Sequence, residues 1–192
     1  MTKTLLILGA GGHGKAVAES ALLTGQWQRV LFVDDRWPAL QESFGLPVVS
    51  DVAGLAECVD QAQGAIAAVG HNQVREQWCT AIEQAGIELV SVVHPRAYVS
   101  ASVALGAGTA VMALAMVGAD AKVGRGAIIN ANATLDHDAI LGDFAHLGVG
   151  VQIAGGVQVG ARAWLQAGCS AGYNVVVPEA ENIPAGTALR AD

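Results

Sequence analysis

From Val99 onward the apolar positions fall on a six-residue beat. Every sixth residue from Val99 to Leu189 is Val, Ile or Leu in fifteen of sixteen cases, Ala171 being the exception. Four residues after each stands a second column, from Val103 and Thr109 through Ala115 to Thr187. It is small or β-branched everywhere except Glu181, and no insertion breaks the count. Six residues make one short strand and one corner, so three strands close a triangular coil and equivalent positions stack one coil apart. The aliphatic column then fills the prism, and the small column fits where its walls converge. The pattern predicts a parallel β-helix of about five coils, roughly 25 Å tall at ~4.8 Å per coil. The weakening at Ala171 and Glu181 places the terminal coil near solvent.

The first half follows another rhythm, with strands and helices alternating. "KTLLILGA" predicts a buried strand, Gly11 to Leu23 a helix, and "RVLFVDD" a second strand ending in Asp34 and Asp35. "GLPVVS" predicts a short third strand, and Ser50 and Asp51 can cap a helix running to about Val59. "GAIAAVG" predicts another strand, Val74 to Ala85 a helix closed by Gly86, and "IELVSVV" a final strand. This order predicts a small parallel sheet of Rossmann-like type. "HPRAY", from His94 to Tyr98, breaks the pattern, which divides the chain into residues 1–93 and 94–192.

Composition adds exclusions. Hydrophobic residues are 53% and charged ones 14% of the 192, too apolar for disorder, while aromatics are only 5% and Gly is 24, which suits a tightly wound, layered core. The net charge of −7 gives no electrostatic footprint for nucleic acid. Mean hydropathy is +0.43, yet no uninterrupted apolar run reaches membrane-spanning length, so no membrane insertion is expected. The apolar stretch after Met1 is too short for a signal peptide and reads as the first strand. Cys58, Cys79 and Cys169 are scattered, odd in number and without CxxC spacing. They read as reduced packing residues of a cytoplasmic protein.

"GAGGHG" fits G-x-G-x-x-G at Gly9, Gly11 and Gly14, after a strand and at the opening of a helix, with Asp34 at the end of the next strand. Glycines let backbone approach a pyrophosphate, and the helix N-terminus favours its charge. A nucleotide–pyrophosphate ligand is the functional reading; a glycine turn that merely packs helix on strand is the structural one. A half of about 92 residues has no second mononucleotide unit to hold nicotinamide, so a nucleotide diphosphate sugar is preferred over NAD. His13 and Lys15 can add donors, and Gly70 in "GHNQVR" ends another strand beside a helix N-terminus, placed to meet the same ligand.

Together "GAGGHG", "FVDD", "AVGHNQVR", "VVHPRAYVSASV" and "NANATLDHDAILGDFAHLGVG" resemble the nucleotide-sugar acetyltransferases that join a Rossmann-like domain to a left-handed β-helix. These include bacillosamine-type UDP-4-amino-sugar N-acetyltransferases, perosamine N-acetyltransferases and sialic acid O-acetyltransferases. The resemblance covers nearly the whole chain. It implies left-handed winding, against the usual crossover rule, and acetyl-CoA as co-substrate with no metal. His137 would be the general base and Asp138 the acid that tunes it. Because the bacillosamine-type enzyme has Glu there, the shorter Asp predicts a contact made through water or after a small shift. The resemblance further implies His146 near the thioester, Gly11, Gly12, His13, Asp34, Asp35 and Gly70 on the nucleotide sugar, and Ala167 and Ala185 along the pantetheine arm. It implies a homotrimer with active sites between neighbouring prisms. One departure is the end "GTALRAD", where many members carry a "GxPAK"-like segment. Either the sequence is shortened, or the 3′-phosphate end of CoA is held otherwise, with Arg190 the candidate.

His137 and His146 stand outside both interior columns, so core packing is not expected for either. A zinc site of the trimeric β-helix type needs a closer histidine pair, and only His94 could add a third. Direct transfer suffices: an imidazole takes the amine proton at neutral pH, a carboxylate fixes its tautomer, and a corner backbone N–H can hold the oxyanion. Cys169, in the small column, reads as packing rather than an acyl carrier. The alternatives are O-acetylation of a sugar of sialic acid type, a GDP-perosamine substrate, and a non-catalytic nucleotide-sugar-binding assembly protein.

Overall fold

The computed structural model describes residues 3–191. The N-terminal half is one five-stranded sheet flanked by helices. Strand β1 (Thr4–Leu8) is fully buried and pairs in parallel with β2 (Arg29–Val33) and with the later strand β5 (Gly64–Ala67). Between β2 and β5 the chain forms β3 (Glu42–Ser43) and β4 (Leu46–Ser50), so the order across the sheet is β3-β4-β2-β1-β5. Helix α1 (Gly12–Leu23) links β1 to β2, and helix α2 (Asn72–Gln84) follows β5.

Three details differ from the sequence expectation. The sheet is not wholly parallel, because β3 and β4 form an antiparallel hairpin. Phe44 and Gly45 turn it, both at positive φ, as a two-residue hairpin requires. The expected helix to Val59 is a 3-10 helix, Leu55–Gln61, and Asp51 accepts the Gly54 N–H at 2.8 Å just before it. The expected strand "IELVSVV" divides. Leu89 makes an isolated bridge with Ala65, whereas Val92–Val93 leaves the first sheet and pairs with Ala110–Val111.

That second pairing opens the prism. Two-residue strands follow every six residues and build three parallel faces. The first face starts at Val92–Val93 and holds six strands, including His146–Leu147 and Trp164–Leu165. The second starts at Tyr98–Val99, holds six and includes Thr134–Leu135; the third starts at Ala104–Leu105 and holds five. Equivalent residues stack in register, as in Ile129↔Leu147 and Leu147↔Leu165. Both predicted columns are interior: Val117, Ile129, Leu135, Leu147 and Leu165, with Ala133, Ala139, Ala145 and Ala163, are fully buried. Glu181 is exposed and Leu189 only partly covered, as the weakening pattern predicts.

The N-terminal half sits against the first face. Val92, Ala110 and Met112 share a core with Leu5, Ile7 and Val17, and Phe144 joins the cluster around Leu6 and Leu8. Arg75 of α2 is fully buried and fastens the two halves polar-to-polar. Its guanidinium donates to the carbonyls of Gly126 and Phe144 in the prism, to those of Val69 and Gly70, and to Asn72 Oδ1. Asn72 in turn donates to the Arg162 carbonyl at 2.7 Å. No carboxylate faces Arg75 in this set. Burial lowers its pKa to about 10, so it remains charged at neutral pH.

Candidate active site

The glycine loop is built as the fingerprint demands. Gly9 has φ +105, and a Cβ on Gly14 would collide with the Gly9 carbonyl oxygen, so only glycine lets α1 pack this close to β1. Gly11 and Gly12, by contrast, face open space, with no atom within 4 Å of where a Cβ would stand. Gly11 caps α1 without any side-chain hydrogen bond, which leaves the first N–H groups of the helix free. Gly9, Gly11 and Gly12 line a cavity of about 250 Å³ with His13, Asp34, Arg36, Gly70 and Trp78.

Asp34 lines that cavity but its carboxylate is already engaged. Oδ2 accepts the Ala10 N–H at 2.8 Å and an Arg36 guanidinium N–H at 2.9 Å, while Oδ1 accepts Arg36 Nε at 2.7 Å and the Arg36 backbone at 3.1 Å. The Arg36 hydrogen bonds hold its pKa down at about 2. Asp34 therefore ties the glycine loop to β2 and aims Arg36, a residue that sequence reasoning missed. Asp35 lies in the turn that follows β2 and is engaged elsewhere. It accepts the Val52 N–H at 3.1 Å and does not line the cavity.

His146 joins this cluster. It begins a strand of the first face and points outward, yet the N-terminal half covers it, leaving it 7% exposed; it packs after all, in the junction between the halves. Its ring stacks on Trp164 with centroids 5.7 Å apart and planes 12° from parallel. Its Nδ1 lies 3.3 Å from the Gly70 carbonyl, which can only accept, so Nδ1 carries the proton and Nε2 is left as an acceptor. Neither that Nε2 nor the Nε2 of His13 has a partner among the described residues. Burial, then the Arg75 charge, lowers His13 to about pKa 4; burial, Arg75 and His13 lower His146 to about 3. Both imidazoles are neutral at physiological pH.

His137 stands elsewhere, on the corner between the second and third faces, with Asp138 beside it in the left-handed region at φ +58. Asp138 Oδ2 meets His137 Nδ1 directly at 2.8 Å, so neither a water nor a shift is needed. Asp accommodates the left-handed corner, and its short side chain reaches the neighbouring ring from there. Asp136, absent from the sequence-based set, accepts the His137 backbone N–H at 2.8 Å with one oxygen and places the other 3.9 Å from His137 Nε2. The Asp138 hydrogen bond and the Asp136 charge raise the His137 pKa. With Nδ1–H given to Asp138, the exposed Nε2 is the basic atom.

A groove of about 470 Å³ runs along the second face from Asp136 past Thr134, Gln152 and Ser170 to Arg190. Ala167 and Ala185 are exposed at the opposite corner of the same face, stacked one coil apart, and the Gly186 N–H donates to the Ala167 carbonyl at 3.0 Å. Within one chain, then, the glycine loop, His13, Gly70 and His146 lie over the first face, while His137, Asp138 and Asp136 lie on the far corner. Among the described residues no three His, Cys, Asp or Glu side chains gather for a metal ion, and no helix is long and apolar enough to cross a membrane.

An α/β nucleotide-loop domain set on a three-sided β-helix, with an imidazole–carboxylate pair on an open corner, defines a sugar-nucleotide acyltransferase class of architecture. Residues 4–82 match the family model "PglD N-terminal domain". The chain is 31% identical to the acetyltransferase domain of PglB from Neisseria gonorrhoeae in complex with acetyl coenzyme A. That likeness covers 99% of this chain and 94% of that one with TM-score 0.92. PerB from Caulobacter crescentus, in complex with CoA and GDP-perosamine, is 36% identical over 100% of this chain and 93% of its own, with TM-score 0.91. The UDP-N-acetylbacillosamine N-acetyltransferase of Bacillus subtilis is 30% identical over 114 residues, 58% of this chain; the match spans about half (52%) of that relative's length. The chain belongs to the family of nucleotide-sugar N-acetyltransferases that couple a PglD-type N-terminal domain to a left-handed parallel β-helix.

Proposed function

We propose that this protein transfers the acetyl group of acetyl-CoA to the amine of a nucleotide-activated amino sugar. The observation that carries the reading is the His137–Asp138 pair, with Nδ1 committed to the carboxylate and Nε2 open to an incoming proton. The sugar amine attacks the thioester carbonyl carbon. His137 Nε2 takes the amine proton as the C–N bond forms, and Asp138 stabilises the imidazolium. The tetrahedral intermediate then expels the CoA thiolate, which recovers the proton as thiol. No covalent acyl-enzyme is needed, and Cys169 is buried in the prism.

The free helix N–H groups, Gly11, Gly12 and Gly70, and the Asp34-held Arg36 suit the diphosphate and its nucleoside. Arg36, not Asp34, is the group free to read the ligand. The second-face groove suits the pantetheine arm: three coils at ~4.8 Å separate Asp136 from Arg190, about 14 Å from the reacting end to a cation. Because the loop and His137 occupy different sides of one chain, the site is assembled between chains of a homotrimer, one offering the loop and a neighbour the imidazole. The three buried, unpaired cysteines fit a cytoplasmic setting.

Purified protein given acetyl-CoA and a UDP-4-amino sugar or GDP-perosamine, with CoA thiol release as readout, tests the reading. Release that requires the amino sugar supports it, and His137→Ala lowers kcat about 10²–10⁴-fold with the Michaelis constants little changed. Release with sialic acid but with neither amino sugar would replace it by O-acetylation.

A further inference from the structure

Equivalent corner residues stack one coil apart, and the column through the second-to-third corner reads Ala101, Ala119, His137, Gly155, Tyr173. A Cβ placed on Gly155 would lie 2.5 Å from Cε1, 2.6 Å from Nε2 and 3.1 Å from Nδ1 of His137. The three nearest atoms are thus all in one imidazole. The ring lies back over the Cα of the next coil and fills the space any side chain there would take. Backbone conformation does not explain this glycine. Its φ is outside the left-handed region, unlike that of Gly156 beside it at φ +71. Its carbonyl accepts the Asn174 N–H at 3.3 Å, an interaction alanine would keep.

We infer that Gly155 is a positioning residue for the reaction: its missing side chain is the seat that lets the His137 ring rest against the following coil while Nδ1 meets Asp138. This rests on the reading of His137 as base, but its physical content is steric. A methyl at 155 meets only the far end of a side chain, which can swing into solvent, so the fold tolerates the substitution while the ring loses its orientation.

The test compares Gly155→Ala, His137→Ala and the double variant in the intact protein. Gly155→Ala is expected to melt within a few degrees of the parent, to lose about 10²-fold in kcat from misplacement of the ring, and to keep its Michaelis constants within about threefold. By NMR, the His137 ring is expected to titrate at lower pH than in the parent, since the contact with Asp138 is lost. In the His137→Ala background, Gly155→Ala is expected to change the residual rate less than about twofold, because nothing is left to displace. Unchanged kcat and unchanged ring titration in Gly155→Ala, or full additivity in the double variant, would overturn the inference. If His137→Ala itself keeps full activity, the base reading falls, and the ring titration alone still decides the seat.

Discussion

Replacing Arg75 with methionine removes one guanidinium and little volume. The side chain is fully buried and gives hydrogen bonds to five acceptors, the carbonyls of Gly126, Phe144, Val69 and Gly70 and Asn72 Oδ1. Burying a charge without a counter-ion is costly, so its loss returns part of the damage. The orphaned carbonyls decide the sign. If two or three stay dry, at about 1–3 kcal/mol each, they outweigh the recovered desolvation and the net loss is about 3 kcal/mol. That is a large share of the ~5–15 kcal/mol that holds a typical protein folded. For a chain of this size it lowers Tm by roughly 6–12 °C. Scanning calorimetry at pH 7 measures it. A second signature is electrostatic: Arg75 is among the causes that lower His13 and His146, so both imidazoles should titrate at higher pH in the variant. A Tm within 2 °C of the parent, with unmoved histidine titrations, would refute the view of Arg75 as the polar fastener between the halves.

Other outcomes follow from the same geometry. Acid should destabilise the protein well before its carboxylates titrate. His13 and His146 have folded pKa values of about 4 and 3 against an ordinary 6.5. Their neutral forms therefore favour the fold above pH 6.5, and that advantage is lost as pH falls toward 4. At pH 5 the loss is on the order of 2 kcal/mol per histidine, visible as a Tm that drops between pH 7 and 5. Asp138→Asn should move the acidic limb of the pH–rate profile to lower pH, because the carboxylate that raises His137 is gone, and should cut kcat at least tenfold through loss of the tautomer. Arg36→Ala should weaken nucleotide diphosphate binding in a thermal-shift titration while leaving the acetyl-CoA Michaelis constant alone.

Much of this architecture is visible in the sequence because a prism coil converts to simple arithmetic. The six-residue column marks the interior, and the failure of the small-residue column beside it at Glu181 marks the last coil. The N-terminal strands announce themselves as apolar runs ending in glycine or acid. What stays hidden depends on contacts between distant segments. Val92–Val93 reads as the end of one sheet and serves as the start of another, since a two-residue strand carries no signature of its partner. His146 reads as uncovered because outward-pointing residues of a β-helix usually are; the N-terminal half changes that. Nothing in the sequence around Arg75 marks the carbonyls of Gly126 and Phe144 as its partners, since they lie more than 50 residues away. Asp34 reads as a ligand contact, and local pattern cannot reveal that Ala10 and Arg36 occupy it first. Gly155 is within reach, since adding one coil to His137 lands on it.

If glycine loop and imidazole from different chains make one site, inactive variants should complement each other. Co-expression of His137→Ala with Gly12→Asp, which sets a carboxylate in the glycine-loop cavity, tests this most directly. Each variant alone should be nearly inactive. Randomly mixed trimers should recover about one quarter of parental activity, because half the loops and half the imidazoles are intact and they pair independently. Mixed trimers no more active than the separate variants would contradict a site shared between chains.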